Sequence, residues 1–303
     1  MYDAKAEAPR FARFLREIFC DDIDRKDKIR LVLELLGYTL VANTKLESFV
    51  LLIGAGANGK SVLLDVIRVM VGKSNATAVQ PSQFSSSFHR AHLHNKLANL
   101  VTEVAEGSEI ADAELKAIVS GELLTAEHKF KPPFEFQPFC TCWFGSNHLP
   151  HTRDFSDALF RRAIVIPFNR VFEYGRDADP NLKETLADEM SGIIKLALDA
   201  FGGALDRGRF TVPKSCFEAK QTWRVEADQA AQFVTEMCDS APDSRTESAV
   251  LFRAYKSWAT SEGIQRQLNR KNFTNRIKRL GGEAFKSTGG KRFIAGLKLK
   301  DCE

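Results

Sequence analysis

No run of this sequence is apolar for long enough to cross a membrane, and the opening residues Met1-Tyr2-Asp3-Ala4-Lys5-Ala6-Glu7 lack the apolar centre of a secretory signal. A cytoplasmic protein with no membrane partner is expected. Cysteine is sparse and scattered. Cys20, Cys140, Cys142, Cys216, Cys238 and Cys302 include no C-x-x-C pair and no companion histidine at zinc spacing, so they read as reduced thiols. Cys140 and Cys142 alternate along an expected strand and face one side, as core residues do. The cluster His89-Arg90-Ala91-His92-Leu93-His94 has no carboxylate or cysteine to complete a metal set. Internal repeats and low-complexity tracts are missing too. What remains, 303 residues at 44% hydrophobic and 27% charged, is an ordinary globular composition with room for one large or two to three small domains.

The net charge of +4 conceals an asymmetry. Between Arg266 and Lys300 eleven Lys and Arg face the single acid Glu283, so that segment carries +10 and the rest of the chain about −6. A positive field concentrated at one end suits a polyanion.

The most informative stretch is Gly54-Ala55-Gly56-Ala57-Asn58-Gly59-Lys60-Ser61, directly after the apolar run Phe49-Val50-Leu51-Leu52-Ile53. Its spacing satisfies G-x-x-x-x-G-K-[ST], a phosphate-binding P-loop. Glycines allow backbone N–H groups to turn inward around phosphates, Lys60 supplies a point charge for the β and γ phosphates, and the Ser61 hydroxyl can ligate Mg²⁺. Val62 to Val71 follows at helical spacing, so a helix N-terminus would face the anion. The nucleotide-binding set is Gly54, Gly56, Asn58, Gly59, Lys60 and Ser61, with ATP and Mg²⁺ as the expected cofactors.

Around this motif the chain falls into blocks. Phe11 to Leu40 has helical periodicity interrupted by the polar turn Asp21-Asp22-Ile23-Asp24, a helical entry module over residues 1–44. Residues 45–172 alternate buried strands with helices, the strands being Phe49 to Ile53, Leu97 to Thr102, Phe139 to Ser146 and Ala163 to Phe168. That pattern implies an α/β domain whose sheet is largely parallel, with helices on both faces. A helical extension covers 173–240, and Asp239-Ser240-Ala241-Pro242-Asp243-Ser244 reads as a linker. In 245–303 come a helix, a basic helix over Lys271 to Leu280 and an alternating stretch around Gly289-Gly290, the order of a winged helix. Lys271, Arg276, Lys278 and Arg279 would lie on its recognition helix, with Lys291 and Arg292 on the wing, mostly contacting DNA phosphates.

Three further signals accompany the P-loop. The apolar strand Leu97 to Thr102 ends in Glu103, where an ATPase needs a carboxylate to hold Mg²⁺ or orient the attacking water. Asn147 follows the strand Thr141 to Ser146, so its amide could bond both the γ-phosphate and the lytic water. Arg161 and Arg162 precede the strand Ala163-Ile164-Val165-Ile166; a guanidinium beside a transferring phosphoryl group stabilises its transition state, commonly from a neighbouring subunit. Adjacent residues before a strand point to opposite sides, so either arginine is eligible.

These motifs, in this order, resemble the superfamily 3 helicase half of phage and plasmid DNA primases, relatives of the poxvirus primase-helicase. The likeness rests on Gly54 to Ser61, the strand ending at Glu103, Leu115 to Glu122, Phe134-Glu135-Phe136-Gln137-Pro138, Ser146-Asn147-His148-Leu149-Pro150 and Phe160 to Phe168. It extends to Gly37-Tyr38, Trp223-Arg224 and Asp228 to Phe233, so it covers most of the chain. The resemblance implies an AAA+-like P-loop NTPase fold with an N-terminal helical module and a C-terminal winged helix. Lys60 and Ser61 would bind phosphates and Mg²⁺, Glu103 would be the second-motif acid, Asn147 the sensor, and Arg161 or Arg162 the finger acting in trans. It further implies a homo-oligomeric ring, a hexamer, drawing single-stranded DNA through a channel lined by a hairpin. Here that hairpin falls at His128-Lys129-Phe130-Lys131, where Lys129 and Lys131 can neutralise phosphates and Phe130 offers a stacking face.

Two departures qualify the likeness. Thr102 stands where the family often has a second acid, which leaves Glu106 as the candidate second carboxylate. Only about forty residues precede the sheet domain, so primer synthesis is not expected from this chain alone and a separate primase is a candidate partner. The expected activity is ATP-dependent DNA unwinding in a phage or plasmid replication system, on single-stranded and duplex DNA. An initiator or prophage remnant that binds ATP and DNA without unwinding is the alternative. A small P-loop kinase would need neither the basic tail nor an arginine in trans.

Overall fold

The computed structural model describes the chain except residues 1, 2, 4, 106, 153–156, 174, 175, 177, 178, 265, 266, 288 and 301–303. The chain divides into two compact units, Met1–Gln221 and Thr222–Glu303. The anticipated second carboxylate, Glu106, lies outside the described residues.

In the first unit, α1 (Pro9–Ile18) begins with proline in its first turn and buries Phe11, Phe14, Leu15 and Ile18, a stripe at helical spacing. Helix α2 (Arg25–Thr39) follows. Five strands build the main sheet: β1 (Phe49–Ile53), β2 (Ala76–Thr77), β3 (Ala98–Val101), β6 (Thr141–Ser146) and β7 (Ala163–Pro167). Strands β4 (Leu124–Ala126) and β5 (Phe134–Phe136) form a separate antiparallel pair. The main sheet runs in the order β2-β3-β6-β1-β7 and every pairing in it is parallel. Every residue of β3 and β6 is buried, as parallel strands covered on both faces require. The four strands anticipated from the apolar runs are all present; the two-residue β2 carries too little pattern to be read in advance.

Helix α3 (Lys60–Val71) leaves the glycine-rich loop, and α4 (Ser87–Arg90), α5 (Asp112–Ser120) and α6 (Asp157–Phe160) occupy the connections between later strands. After β7 come α7 (Leu182–Asp188), α8 (Met190–Arg207) and α9 (Lys214–Ala227), the last crossing from the first unit into the second. Side chains of α1, α2, α3 and α8 share one core with Val50, Leu52, Leu100, Trp143 and Ile166 of the sheet. Across the sheet, Phe144 meets Phe49 and Phe84 at ring-centroid distances of 6.1 and 6.2 Å. Gly37 explains itself here. A Cβ at that position would run into the Ala197 carbonyl and lie 2.5 Å from the Phe201 Cβ, so α2 and α8 touch backbone to side chain. Beside it Tyr38 packs between Phe201 and Phe210. The Trp143 indole donates to Thr39 Oγ1 at 3.0 Å, fastening β6 to α2.

The second unit contains α10 (Gln229–Met237), β8 (Cys238–Glu247), α11 (Ser248–Ser261), α12 (Arg270–Arg279), β9 (Glu283–Lys286) and β10 (Arg292–Leu299). Its antiparallel sheet runs β8-β10-β9. Phe233, Leu251, Tyr255, Trp258, Phe273, Ile277, Ile294 and Leu297 make its core. The order helix, basic helix, hairpin holds, but the segment read as a linker does not: residues 239–244 belong to strand β8, paired with β10. Its polar, proline-containing sequence suits an edge strand. Ala241 pairs with Gly296 and Arg245 with Ala295, so Pro242 sits in the irregularity between them, where no ladder donor is needed.

Candidate functional site

In an open parallel sheet, ligands bind beyond the carboxyl ends of the strands where the strand order reverses. Here β6 lies between β1 and β3, so the ends of these three strands adjoin. Val104 N donates to Gly145 O at 2.8 Å and Gly54 N to Ser146 O at 3.3 Å, which ties the tail of β3 and the start of the glycine-rich loop to β6. Gly145 is needed for this closeness, because a Cβ there would sit 2.5 Å from the Thr102 carbonyl.

The loop 54–61 is shaped by its glycines. Gly59 has φ +90°, and a Cβ on it would press on Ile18 and Phe14 of α1. A Cβ on Gly54 would meet the Phe168 carbonyl, whereas one on Gly56 would meet nothing within 4 Å, so the loop is packed at its base and open at its crest. Asn58 is buried, its amide donating to Ala55 O and its Oδ1 accepting from Lys60 N at 3.4 Å. Phe172 N donates to Ala57 O at 2.7 Å and closes the loop from the other side.

Lys60 is buried, and its ammonium donates to the carbonyl of Gly54, to that of Ala55 at 3.4 Å and to Asn147 Oδ1 at 3.2 Å. Burial lowers its pKa, and the charge of Glu103 acts against that shift. Lys60, Asn147 and Glu103, far apart in sequence, therefore share one electrostatic site. Ser61, in the first turn of α3, and Glu103 and Asn147 are solvent-exposed around it. Sequence reasoning missed Gln80, whose Nε2 donates to the Glu103 carbonyl at 3.0 Å. A lone glutamine after a two-residue strand has no motif to reveal it.

Arg161 and Arg162 differ sharply. Arg162 is buried and donates to Ser120 Oγ at 2.8 and 3.2 Å, to Ala158 O at 2.7 Å and to Glu47 Oε2 at 2.7 Å. The Arg161 side chain is 66% exposed, its nearest carboxylate being Glu47 at 4.0 Å. Both precede β7, and Ala163 pairs with Phe49 at the start of β1, so they stand at the end of the sheet opposite the glycine-rich loop.

Lys129, Phe130 and Lys131 cap the β4–β5 hairpin, all exposed, with Phe130 fully so at 104% and in the left-handed conformation at φ +63°. The root of the hairpin is clamped. Arg90 donates to Phe84 O, to Ser85 O and twice to Thr125 O at 2.8–3.1 Å, and Ser87 donates to Glu127 at 2.6 Å. His94 packs on Phe134 and Phe136, and His128 stacks on Phe134.

In the second unit Lys271, Lys278 and Arg279 of α12, and Lys291 and Arg292 by β10, are exposed. Arg276 is not, which corrects its assignment to a DNA-facing surface. It is buried and paired with Asp228 at 2.6 Å, because α12 turns Phe273, Arg276 and Ile277 inward at helical spacing.

The parallel sheet, the glycine-rich loop at its switch point and the residues gathered there define a mixed α/β protein consistent with a P-loop helicase-like fold. Comparisons with known proteins point the same way. Residues 52–162 match a family of unknown function (DUF5906), and residues 225–297 match the poxvirus D5 protein-like family. The chain is 26% identical over 289 residues to "Putative helicase L207/L206" of Acanthamoeba polyphaga mimivirus, covering 87% of this chain and 30% of that protein. It is 24% identical over 283 residues to "Putative helicase 022R" of Frog virus 3 (isolate Goorha), covering 86% and 29%. The chain thus spans about a third of the length of these relatives. Among solved structures, the A form apo structure of the NrS-1 C terminal region shares the fold, with a TM-score of 0.57 at 14% identity over 97% of this chain and 78% of that one. These matches support a primase-helicase-like family, the one that the motif order resembles.

Proposed function

We propose that the first unit is an ATP-hydrolysing motor of superfamily 3 type that moves along single-stranded DNA as a ring of identical subunits, the helicase component of a phage-like or plasmid-like replication system. The observation that carries this reading is the meeting of Lys60, Asn147 and Glu103 at the ends of β1, β6 and β3. The residues fit a nucleotide. The oxygens that now hold the Lys60 ammonium are neutral carbonyl and amide acceptors, which phosphate oxygens would outcompete, and the open crest at Gly56 leaves room for backbone amides to face an anion. Ser61 and Glu103 would hold Mg²⁺, which supplies charge neutralisation at the phosphates.

Lys60 places positive charge where negative charge develops. Glu103, exposed at the end of its strand, orients the attacking water, and Asn147 links the phosphate position to β6. At about 3.3 Å per residue, the five residues of β1 put Arg161 some 15 Å from the loop of its own subunit, so it serves a neighbour's site. Arg162, already committed to Ser120, Ala158 and Glu47, is the positioning partner beneath it. Lys129, Phe130 and Lys131 would grip single-stranded DNA in the channel. In the second unit, α11, α12 and the β9–β10 hairpin read as a winged helix that holds duplex DNA through Lys271, Lys278, Arg279, Lys291 and Arg292.

Steady-state ATPase activity with and without single-stranded DNA, across protein concentration and with Lys60→Ala, tests this reading. Turnover should rise with DNA and with assembly and vanish in the variant. Binding of ATP with flat turnover would remove the motor and leave a DNA-binding initiator.

A further inference from the structure

Arg161 has a fixed base and an exposed tip. Its backbone N–H donates to Asp157 O at 2.8 Å and that of Arg162 to Leu159 O at 3.1 Å, so both residues start from the end of α6. Farther out, the Arg161 side chain meets one carboxylate among the described residues, Glu47, whose Oε2 lies 4.0 Å away. The same oxygen lies 2.7 Å from Arg162 Nη2. One carboxylate thus stands between two adjacent guanidiniums, held closely by the buried one and loosely by the exposed one.

The turn before β1 fixes Glu47. Its N–H donates to Thr44 O at 2.9 Å, Ser48 Oγ donates to Leu46 O at 2.6 Å, and Phe49 N, two residues on, donates to Arg162 O at 2.9 Å. Glu47 has φ +36°, a left-handed conformation uncommon outside glycine. A carboxylate packed inside with Arg162 would suffice to neutralise it, yet the Glu47 side chain is 45% exposed. It borders a cavity of about 400 Å³ whose other charged lining residues, Lys45, Arg161, Arg162, Arg209 and Lys220, are all cations. Their combined field drives the Arg161 guanidinium outward, and Glu47 is the one opposing charge among the described residues of the lining. Because Arg162 already offsets the Glu47 charge, the three groups together keep a net +1, so Arg161 is tethered without losing the charge that a phosphoryl group would meet.

We propose that Glu47 is a positioning residue for Arg161: seated on Arg162, its carboxylate confines the Arg161 guanidinium to the direction in which it reaches the neighbouring subunit's nucleotide. An unrestrained arginine has much rotamer freedom to lose when it engages a transition state, and a tether removes part of that loss beforehand. The effect falls on the chemical step in the neighbour, not on nucleotide binding in the subunit that carries Glu47. This inference rests on the assignment of Arg161 to a neighbour's site made above.

Glu47→Gln tests this in mixed assemblies of the full chain, because the amide oxygen still accepts from Arg162 while the charge is gone. Lys60→Ala subunits present Arg161 but cannot turn over ATP, and Arg161→Ala subunits turn over ATP only beside such a donor, so a mixture of the two should regain turnover. Adding Glu47→Gln to the Lys60→Ala subunits should lower the regained kcat about 5- to 30-fold while KM for ATP stays within about twofold, at protein concentrations that saturate assembly. Adding it to the Arg161→Ala subunits should leave the regained turnover unchanged. Any weakening of the Arg162 seat is common to both placements, so the location of the defect separates positioning from a merely structural role. Equal loss from both placements, loss only on the Arg161→Ala side, or no loss from either overturns the proposal and leaves the assignment of Arg161 standing. A parent mixture that regains no turnover removes that assignment, and the proposal falls with it.

Discussion

Asp228 and Arg276 form an ion pair in the second unit in which both side chains are nearly buried, at 7% and 11% exposure. Removing one partner of a buried pair leaves an uncompensated charge and costs about 3–5 kcal/mol. Asp228 has a second task, since its carboxylate accepts from Ala230 N at 3.1 Å and caps α10; losing a cap costs about 1 kcal/mol more. Asp228→Ala should therefore cost roughly 4–6 kcal/mol. A unit of about eighty residues has a total stability of about 4–12 kcal/mol at ~0.05–0.15 kcal/mol per residue, so this substitution consumes much or all of it. Arg276→Met should cost less, because Asp228 keeps its capping partner, and the double variant should be more stable than Asp228→Ala alone. Urea denaturation followed by tryptophan fluorescence measures this, since Trp223 and Trp258 lie in the second unit. The same variants separate structure from recognition. Under conditions where the unit is folded, Arg276→Met should leave the salt dependence of duplex binding unchanged, whereas Lys278→Met should reduce its slope by about one. Equal stabilities for Asp228→Ala and Arg276→Met, or a salt slope that falls with Arg276→Met, would refute the burial argument.

Three other outcomes follow from the same geometry. Arg161→Ala should abolish ATP turnover without lowering the melting temperature, whereas Arg162→Ala should cost roughly 1–3 kcal/mol through its lost hydrogen bonds; mixing Arg161→Ala with Lys60→Ala subunits should regain part of the turnover, and no recovery at any ratio would argue against action between subunits. Arg90→Ala should weaken DNA stimulation of the ATPase while basal turnover persists, since its two hydrogen bonds to Thr125 O tie the hairpin root to the segment at Phe84 and Ser85; equal loss of both rates would contradict this. For Asp24, burial alone would raise the pKa, but hydrogen bonds from Ser215 N and Oγ and the charge of Lys28 outweigh it and hold the carboxyl below 3.8. A depressed carboxylate contributes stability that is present above its ordinary pKa and lost as pH falls through the folded value, so acid titration of wild type and Asp24→Asn should diverge above about pH 4 and converge below it, and parallel curves would refute the linkage.

What could be read in advance and what could not divide along physical lines. The glycine-rich loop and four parallel strands were legible because buried parallel strands are continuous apolar runs and the loop has a fixed spacing. That Asn147 would sit against Lys60 was foreseeable only as a role, since nothing in spacing places β6 between β1 and β3. That Arg162 is buried and Arg161 exposed depends on Ser120, Ala158 and Glu47, residues with no signal of their own. Arg276 was misassigned because charge density marks a basic helix but not which of its faces is turned inward; Phe273 and Ile277, flanking it at helical spacing, were the available clue. Strand β8 escaped because an exposed edge strand is polar on both sides and its proline imitates a linker.

The three groups at the head of the site come from residues 60, 103 and 147, and the connections from β1 to β2, β2 to β3 and β3 to β6 must be completed before they meet. No peptide shorter than the span from residue 60 to residue 147 contains all three groups, and the unfolded chain does not hold them together for a ligand that requires all three. Any such ligand is consequently a gauge of the whole sheet. At a hundredfold excess over its dissociation constant it would hold the first unit folded by about 2.7 kcal/mol more, so a rise in melting temperature with ligand concentration would report assembly of the β2-β3-β6-β1-β7 order as directly as it reports binding.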